Sequence, residues 1–187
     1  MSTKRLVLYA LVFALAGIVL VWFVVGSTLP ETFDVESQRD LRAPSARVAA
    51  VVTDLKSWND WSAMDANLGP QTTREVVGVA GTVGQAMRWT GQKGTAVLRF
   101  RAVGDNGVEY EFRGQLADGR DYPWRGDGRI EWQQDGDVCK VRWQEHLTWE
   151  TMAGRWVAWF GAQQENVRRI QTSSLQGLAE AVEAAVK

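Results

Sequence analysis

One cysteine and one histidine, Cys139 and His146, stand in 187 residues. One chain therefore lacks the makings of a disulfide, a four-cysteine zinc site or a two-histidine metal site. Metal chemistry would rest on carboxylates alone, and no cofactor is implied. Net charge is scarce as well, since 21 Lys and Arg against 22 Asp and Glu leave −1. The positive field that non-specific nucleic-acid binding needs is missing, so no nucleic-acid partner is expected. No G-x-S-x-G elbow, P-loop, HExxH or Cys-His-Asn arrangement occurs, nor any N-x-Ser/Thr sequon. A mass of 20.9 kDa allows one ordinary domain plus a short appendage and excludes a large multidomain enzyme.

What the chain does have is tryptophan and one long apolar run. Ten Trp stand beside three Tyr and six Phe, enough large flat side chains to wall an apolar pocket. Residues 6–25, LVLYALVFALAGIVLVWFVV, carry no charge, amide or proline. As a helix they reach about 30 Å, the hydrocarbon thickness of a bilayer. Ala14-Leu15-Ala16 resembles a signal-peptidase site, but eight of the 20 apolar residues lie beyond position 17. Signal-peptide cores are shorter, about 7–15 residues, so the run reads as an uncleaved anchor. Lys4 and Arg5 precede it and no basic residue follows until Arg39. The positive-inside rule then puts the N-terminus in the cytoplasm and the rest of this single-pass chain outside it, in the cell membrane.

Residues 1–30 thus form anchor and tether, and 31–187 one domain with 19 basic and 22 acidic residues, net −3. No repeat or low-complexity tract divides it. Residues 26–32, GSTLPET, reach at most about 25 Å, so the domain stays near the bilayer.

Phe33, Val35 and Leu41 alternate with polar residues as a first strand, and Pro44 suits the first turn of a helix. Val48, Val51, Val52 and Leu55 give a short amphipathic helix over residues 44–55, and residues 57–62 a shorter one carrying two Trp. From about residue 71 to 150 the period is two, with turn glycines Gly78, Gly81 and Gly84 and one wet face per strand, the pattern of an antiparallel sheet. From Met152 to Val186 helical spacing returns, with Phe160, Val167, Ile170, Leu178 and Val182 on one face.

This order is the helix-grip order, and the details resemble the SRPBCC superfamily of START and Bet v 1-like domains, including the polyketide cyclase/dehydrase and lipid transport type. The residues that carry the resemblance begin with Ala43-Pro44 leading to Val48, then Thr53-Asp54-Leu55 running into Trp58-x-x-Trp61-Ser62. Gly81-x-x-Gly84, Trp89-x-Gly91, Gly94, Val141-x-Trp143 and Leu175-x-Gly177-Leu178 complete it. It covers residues 33–185, and members with one N-terminal span are familiar. Arg39 departs from it, standing where similar proteins tend to place an apolar residue. The resemblance implies an α+β fold, a curved antiparallel sheet of about seven strands around a long C-terminal helix, with two short helices after strand 1.

It also implies an apolar pocket between sheet and helix. Trp89, Tyr110, Phe112, Trp124, Trp132 and Trp143 face inward, and with Gly126 and Gly128 among them are hard to close-pack. Each ring alone is also ordinary core. Glu145 shares the inward phase of Val141, Trp143 and Leu147 unless a bulge turns it out, while His146 points away. A buried carboxylate needs a partner, and Arg39, inward on the first strand, is a candidate because first and last strands are neighbours in this fold. Gln171 and Ser174 lie near the apolar line of the last helix. The expected ligand is a lipid or similar apolar small molecule held without covalent chemistry. The alternatives are a cyclase/dehydratase-like enzyme, with Glu145 as catalytic acid/base, and a structural subunit of a membrane complex. Residues 149–160, WETMAGRWVAWF, fall near the pocket mouth, where Trp156 and Trp159 suit the headgroup region and Arg155 acidic lipids. In the plainer reading Trp156 and Phe160 staple the helix start to the sheet.

Overall fold

The protein, as a computed structural model, is described for residues 3–64, 68, 69 and 71–183. Helix α1 (Thr3–Thr28) has the length and composition to cross a membrane, with a mean hydropathy of 2.7 over its apolar window. Apart from Gly26, its described side chains are exposed.

Strand β1 (Thr32–Leu41) is followed by α2 (Ser45–Val52) and α3 (Trp58–Trp61). Pro44 is the N-cap of α2, one position ahead of the expected first turn, and its carbonyl accepts the Arg47 N–H at 2.9 Å. Strands β2 (Thr73–Val77), β3 (Ala86–Gly91), β4 (Gly94–Gly104), β5 (Gly107–Leu116), β6 (Trp124–Asp135) and β7 (Val138–Trp149) follow, then α4 (Met152–Phe160) and α5 (Gln163–Glu183). The seven strands form one antiparallel sheet in the order β1-β7-β6-β5-β4-β3-β2, so first and last strands pair and the return from β1 to β2 is spanned by α2 and α3. Gly78, Gly81 and Gly84 take φ values of 93, 69 and 88° in the β2–β3 connection, a region that favours glycine.

The inward phase of β7 is buried at Cys139, Val141, Trp143, Leu147 and Trp149, and α5 closes over that face with Leu175, Leu178 and Val182. Helix α5 also runs along β1, an edge strand of the sheet, where Gln164 Nε2 donates to the Asp34 carbonyl at 3.3 Å. The expectation of one helix from Met152 onward is corrected. The chain leaves the helix at Gly161-Ala162, where Ala162 has φ 47°, and starts again at Gln163. Thr151 caps α4 by accepting the Gly154 N–H at 3.0 Å. Residues 184–187, the end of the expected helix, lie outside the described residues.

Candidate functional site

The space between sheet and α5 is filled at one end and open at the other, and two tryptophans make the difference. Trp58 of α3 reaches into the grip and meets Phe100, Tyr110 and Trp143 edge-on at 6.0–6.1 Å between ring centres. Its indole N–H donates to the Val52 carbonyl at 2.8 Å, and Trp61 packs on Trp143 from the same side. Toward the other end α3 supplies no plug, and Gly126 contributes no side chain. A cavity of about 750 Å³ remains there. Its wall is aromatic and continuous: Phe112 stacks on Trp124 at 5.4 Å, Trp124 meets Trp149 at 6.2 Å, and Trp149 meets Phe33 at 6.4 Å. Leu147, Val167 and Ile170 add to the apolar lining, and exposed Val157, Gly161 and Ala162 stand on the rim, where the cavity opens.

Glu145 is the ionisable group set into the sheet wall of this cavity; Glu165 and Arg169, on α5, are exposed. No register shift interrupts β7 against either neighbour, so the alternation carries Glu145 inward. Its position opposite Gly128, which is itself opposite Tyr110, decides its partner. Any Cβ on Gly128 would lie 2.0 Å from Tyr110 Cζ. Because there is none, Tyr110 leans across β6 and its hydroxyl donates to Glu145 Oε1 at 2.6 Å, two strands away. Trp143 Nε1 donates to the same tyrosine oxygen at 2.6 Å. Burial raises the Glu145 carboxyl from its ordinary 4.5 to about 7, against the Tyr110 hydroxyl and the nearby Trp143 N–H, which pull it down. Burial first, and then the neighbouring carboxylate, push the Tyr110 phenol well above its usual range. Near neutral pH the site thus holds a carboxyl poised between its two forms.

Among the residues expected from sequence, Phe112, Trp124 and Glu145 line the cavity, and Tyr110 adjoins it through its bond to Glu145. Trp89, Trp132 and Trp143 lie in the packed core; Trp132 Nε1 donates to the Asp105 carbonyl at 3.0 Å. Ser174 is structural, accepting the Ala63 N–H at 2.9 Å and donating to the Ile170 carbonyl at 2.8 Å. Gln171 is fully buried beside β1, its Nε2 3.5 Å from the Val35 carbonyl. The expected Arg39–Glu145 pair is not made. Arg39 stands opposite Val141 and Glu145 opposite Val35, four positions apart on β1 or about 13 Å. Arg39 is half-buried, without a charged partner among the described residues. His146 is on the outer face, with Nδ1 2.8 Å from Asp34 Oδ1. Phe33, Leu147 and Trp149 were not among the expected cavity residues. Their inward phase is legible, but their place near the open end comes from register.

Residues 32–183 match the profile of a family described as polyketide cyclase / dehydrase and lipid transport. No curated protein matches the sequence closely enough to count as a relative. Among solved structures, a Thermus thermophilus protein is similar at a TM-score of 0.59 and 19% identity, covering 83% of this chain and 100% of its own. A Chromobacterium violaceum protein follows at 0.58 and 20%, covering 82% and 98%. The Aha1 dimer from Colwellia psychrerythraea gives 0.55 and 14%, covering 81% and 96%. At these identities the likeness is one of fold.

Proposed function

The chain belongs to the polyketide cyclase / dehydrase and lipid transport family, and from that premise we propose that it is a membrane-anchored module holding a hydrophobic small molecule or lipid between sheet and C-terminal helix, without covalent chemistry. The observation that carries this reading is the aromatic cavity of about 750 Å³, within the size range of small-molecule sites. An apolar ligand would gain roughly 25 cal/mol for each Å² of apolar surface removed from water. Its polar end would meet Glu145, whose protonated form donates a hydrogen bond and whose ionised form accepts one. The anchor is the exposed helix α1, with Lys4 and Arg5 toward the cytoplasm and the domain outside it.

A second reading is favoured by the Tyr110–Glu145 pair. A carboxyl held near 7 beside a phenol suits proton transfer on a bound polyketide-like substrate, as in a cyclase or dehydratase. Native mass spectrometry of the full chain, extracted from its own host in mild detergent, tests the main reading. A single apolar species retained stoichiometrically is expected; a ligand-free protein that also takes up no fatty acid or isoprenoid probe would overturn it. With the ligand identified, Glu145→Gln separates the readings, because loss of turnover at unchanged affinity would establish the enzyme.

A further inference from the structure

Helix α4, MAGRWVAWF, leaves three large apolar side chains in the open: Val157, Trp159 and Phe160 are 55, 62 and 77% exposed. What covers them follows from how α4 sits on α1. At the end of β7, just before α4, Trp149 N–H donates to the Glu31 carbonyl at 2.7 Å, and from within α4 the Arg155 side chain reaches back to pair with the Glu31 carboxylate. Met152, the first residue of α4, and Trp156 one turn later close over Gly26, where an added Cβ would lie 2.8 Å from Met152 Cγ. Further still, Trp156 Nε1 donates to the Trp22 carbonyl at 3.3 Å. From Trp149 on Glu31, through Met152 on Gly26, to Trp156 on Gly26 and Trp22, the contacts move down α1 as the chain advances, with only the long Arg155 side chain reaching back, so α4 runs toward the apolar run. Phe160 stacks on Trp156 at 5.3 Å, one further turn along α4.

This corrects two expectations. Trp156 docks on α1 and not on the sheet, and Arg155, the one charged residue of α4, is bonded to Glu31. With its charge satisfied at the outer end, the remainder of α4 is uncharged and lies beside a helix that is uncharged over residues 6–25.

We infer that the broad exposed face of α4 that fans from Val157 through Phe160 to Trp159, over about 160° spanning the α1-docked Trp156, is seated in the lipid bilayer, in the same leaflet as the end of α1, and that the cavity opens into that leaflet. Val157 belongs to both the exposed face and the cavity rim, and Gly161 and Ala162 at the α4–α5 turn complete the rim. An apolar ligand then passes between membrane and cavity without crossing water. Indole and phenyl rings at the membrane interface are energetically favoured there. The inference rests on reading α1 as an anchor.

The test uses the full chain in phosphatidylcholine vesicles, with the native thiol removed by Cys139→Ala. An environment-sensitive fluorophore is attached through Phe160→Cys in one sample and Val12→Cys in another. Lipids carrying a nitroxide near the headgroup or near the chain end act as quenchers. Quenching of the position-160 probe by the shallow nitroxide is expected, together with quenching of the position-12 probe by the deep one. A quenched position 12 with an unquenched, water-exposed position 160 overturns the inference and leaves the anchor standing. An unquenched position 160 that is shielded from water assigns the face to a second copy or another protein and overturns it equally. An unquenched position 12 removes the anchor reading itself. For the opening, Trp159→Ser with Phe160→Ser is expected to slow transfer of a fluorescent fatty acid from vesicle to cavity by about tenfold, with equilibrium affinity unchanged. An unchanged transfer rate places the opening elsewhere.

Discussion

Gly128 matters at the residue scale for what it leaves out. Gly128→Ala would force Tyr110 off Glu145, and overpacking of this kind destabilises by about 1–3 kcal/mol; urea unfolding of the detergent-solubilised chain measures it. Tyr110→Phe keeps the packing and removes the hydroxyl. Because that hydrogen bond holds the carboxyl down, the Glu145 pKa is expected to climb above about 7, as followed by carboxyl carbon NMR. The carboxyl also gives the fold a pH dependence of known sign. Folded, it stays protonated to about 7, whereas unfolded it ionises near 4.5, so unfolding releases a proton between those values. Stability from this group is fully present below 4.5 and declines as pH rises to about 7, by up to about 3 kcal/mol. Glu145→Gln is expected to flatten that window and to be the more stable protein at pH 8, as urea unfolding across the pH range would show. A wild-type curve already flat between these values would contradict the burial of the carboxyl.

At the scale of elements, Ala162 between α4 and α5 is an L residue with φ 47°, where its Cβ crowds the following carbonyl at about 1–2 kcal/mol. Ala162→Gly is expected to raise the unfolding free energy by about 0.5–1 kcal/mol after the added freedom of the unfolded chain is allowed for, measured by urea midpoint at constant slope. This break also shows where sequence reading stopped. Alanine is the strongest helix former, so the pattern runs through position 162 without a visible interruption, and Gly161 alone hints at one. The strands were legible because alternation survives: the phase of Val141, Trp143 and Leu147 carries Glu145 toward the Tyr110 hydroxyl and the cavity wall. Alternation assigns a face and says nothing of position along the strand. Trp132 and Trp143 share a face with Phe112 and Trp124, yet they lie in the packed core while the other pair lines the cavity. Arg39 and Glu145 were matched by phase and by neighbouring strands, and separated by four positions of register.

For the whole molecule, the cavity is the part of the grip that the core does not occupy, so filling it should separate binding from folding. Val167→Trp, on the α5 side of the lining, is expected to weaken uptake of a fatty-acid probe by at least about tenfold while leaving the thermal midpoint unchanged or higher, since added apolar contact replaces empty space. Loss of stability with binding intact would mean that the space is not where the ligand sits. The pairing of β1 with β7 has a consequence in time. β1 is complete at Leu41, but its partner begins only at Val138, and at about 5–20 residues per second the intervening chain takes on the order of 5–20 s to make. Throughout that interval the first strand, tethered to the apolar helix by residues 29–31, has no neighbour to pair with. Closing such distant strands is slow compared with forming local hairpins, and β3–β4, β4–β5 and β6–β7 are all local. The hairpins are therefore expected to assemble first and to dock last onto the strand at the membrane, so the ligand-holding space does not exist until the membrane end of the domain is sealed.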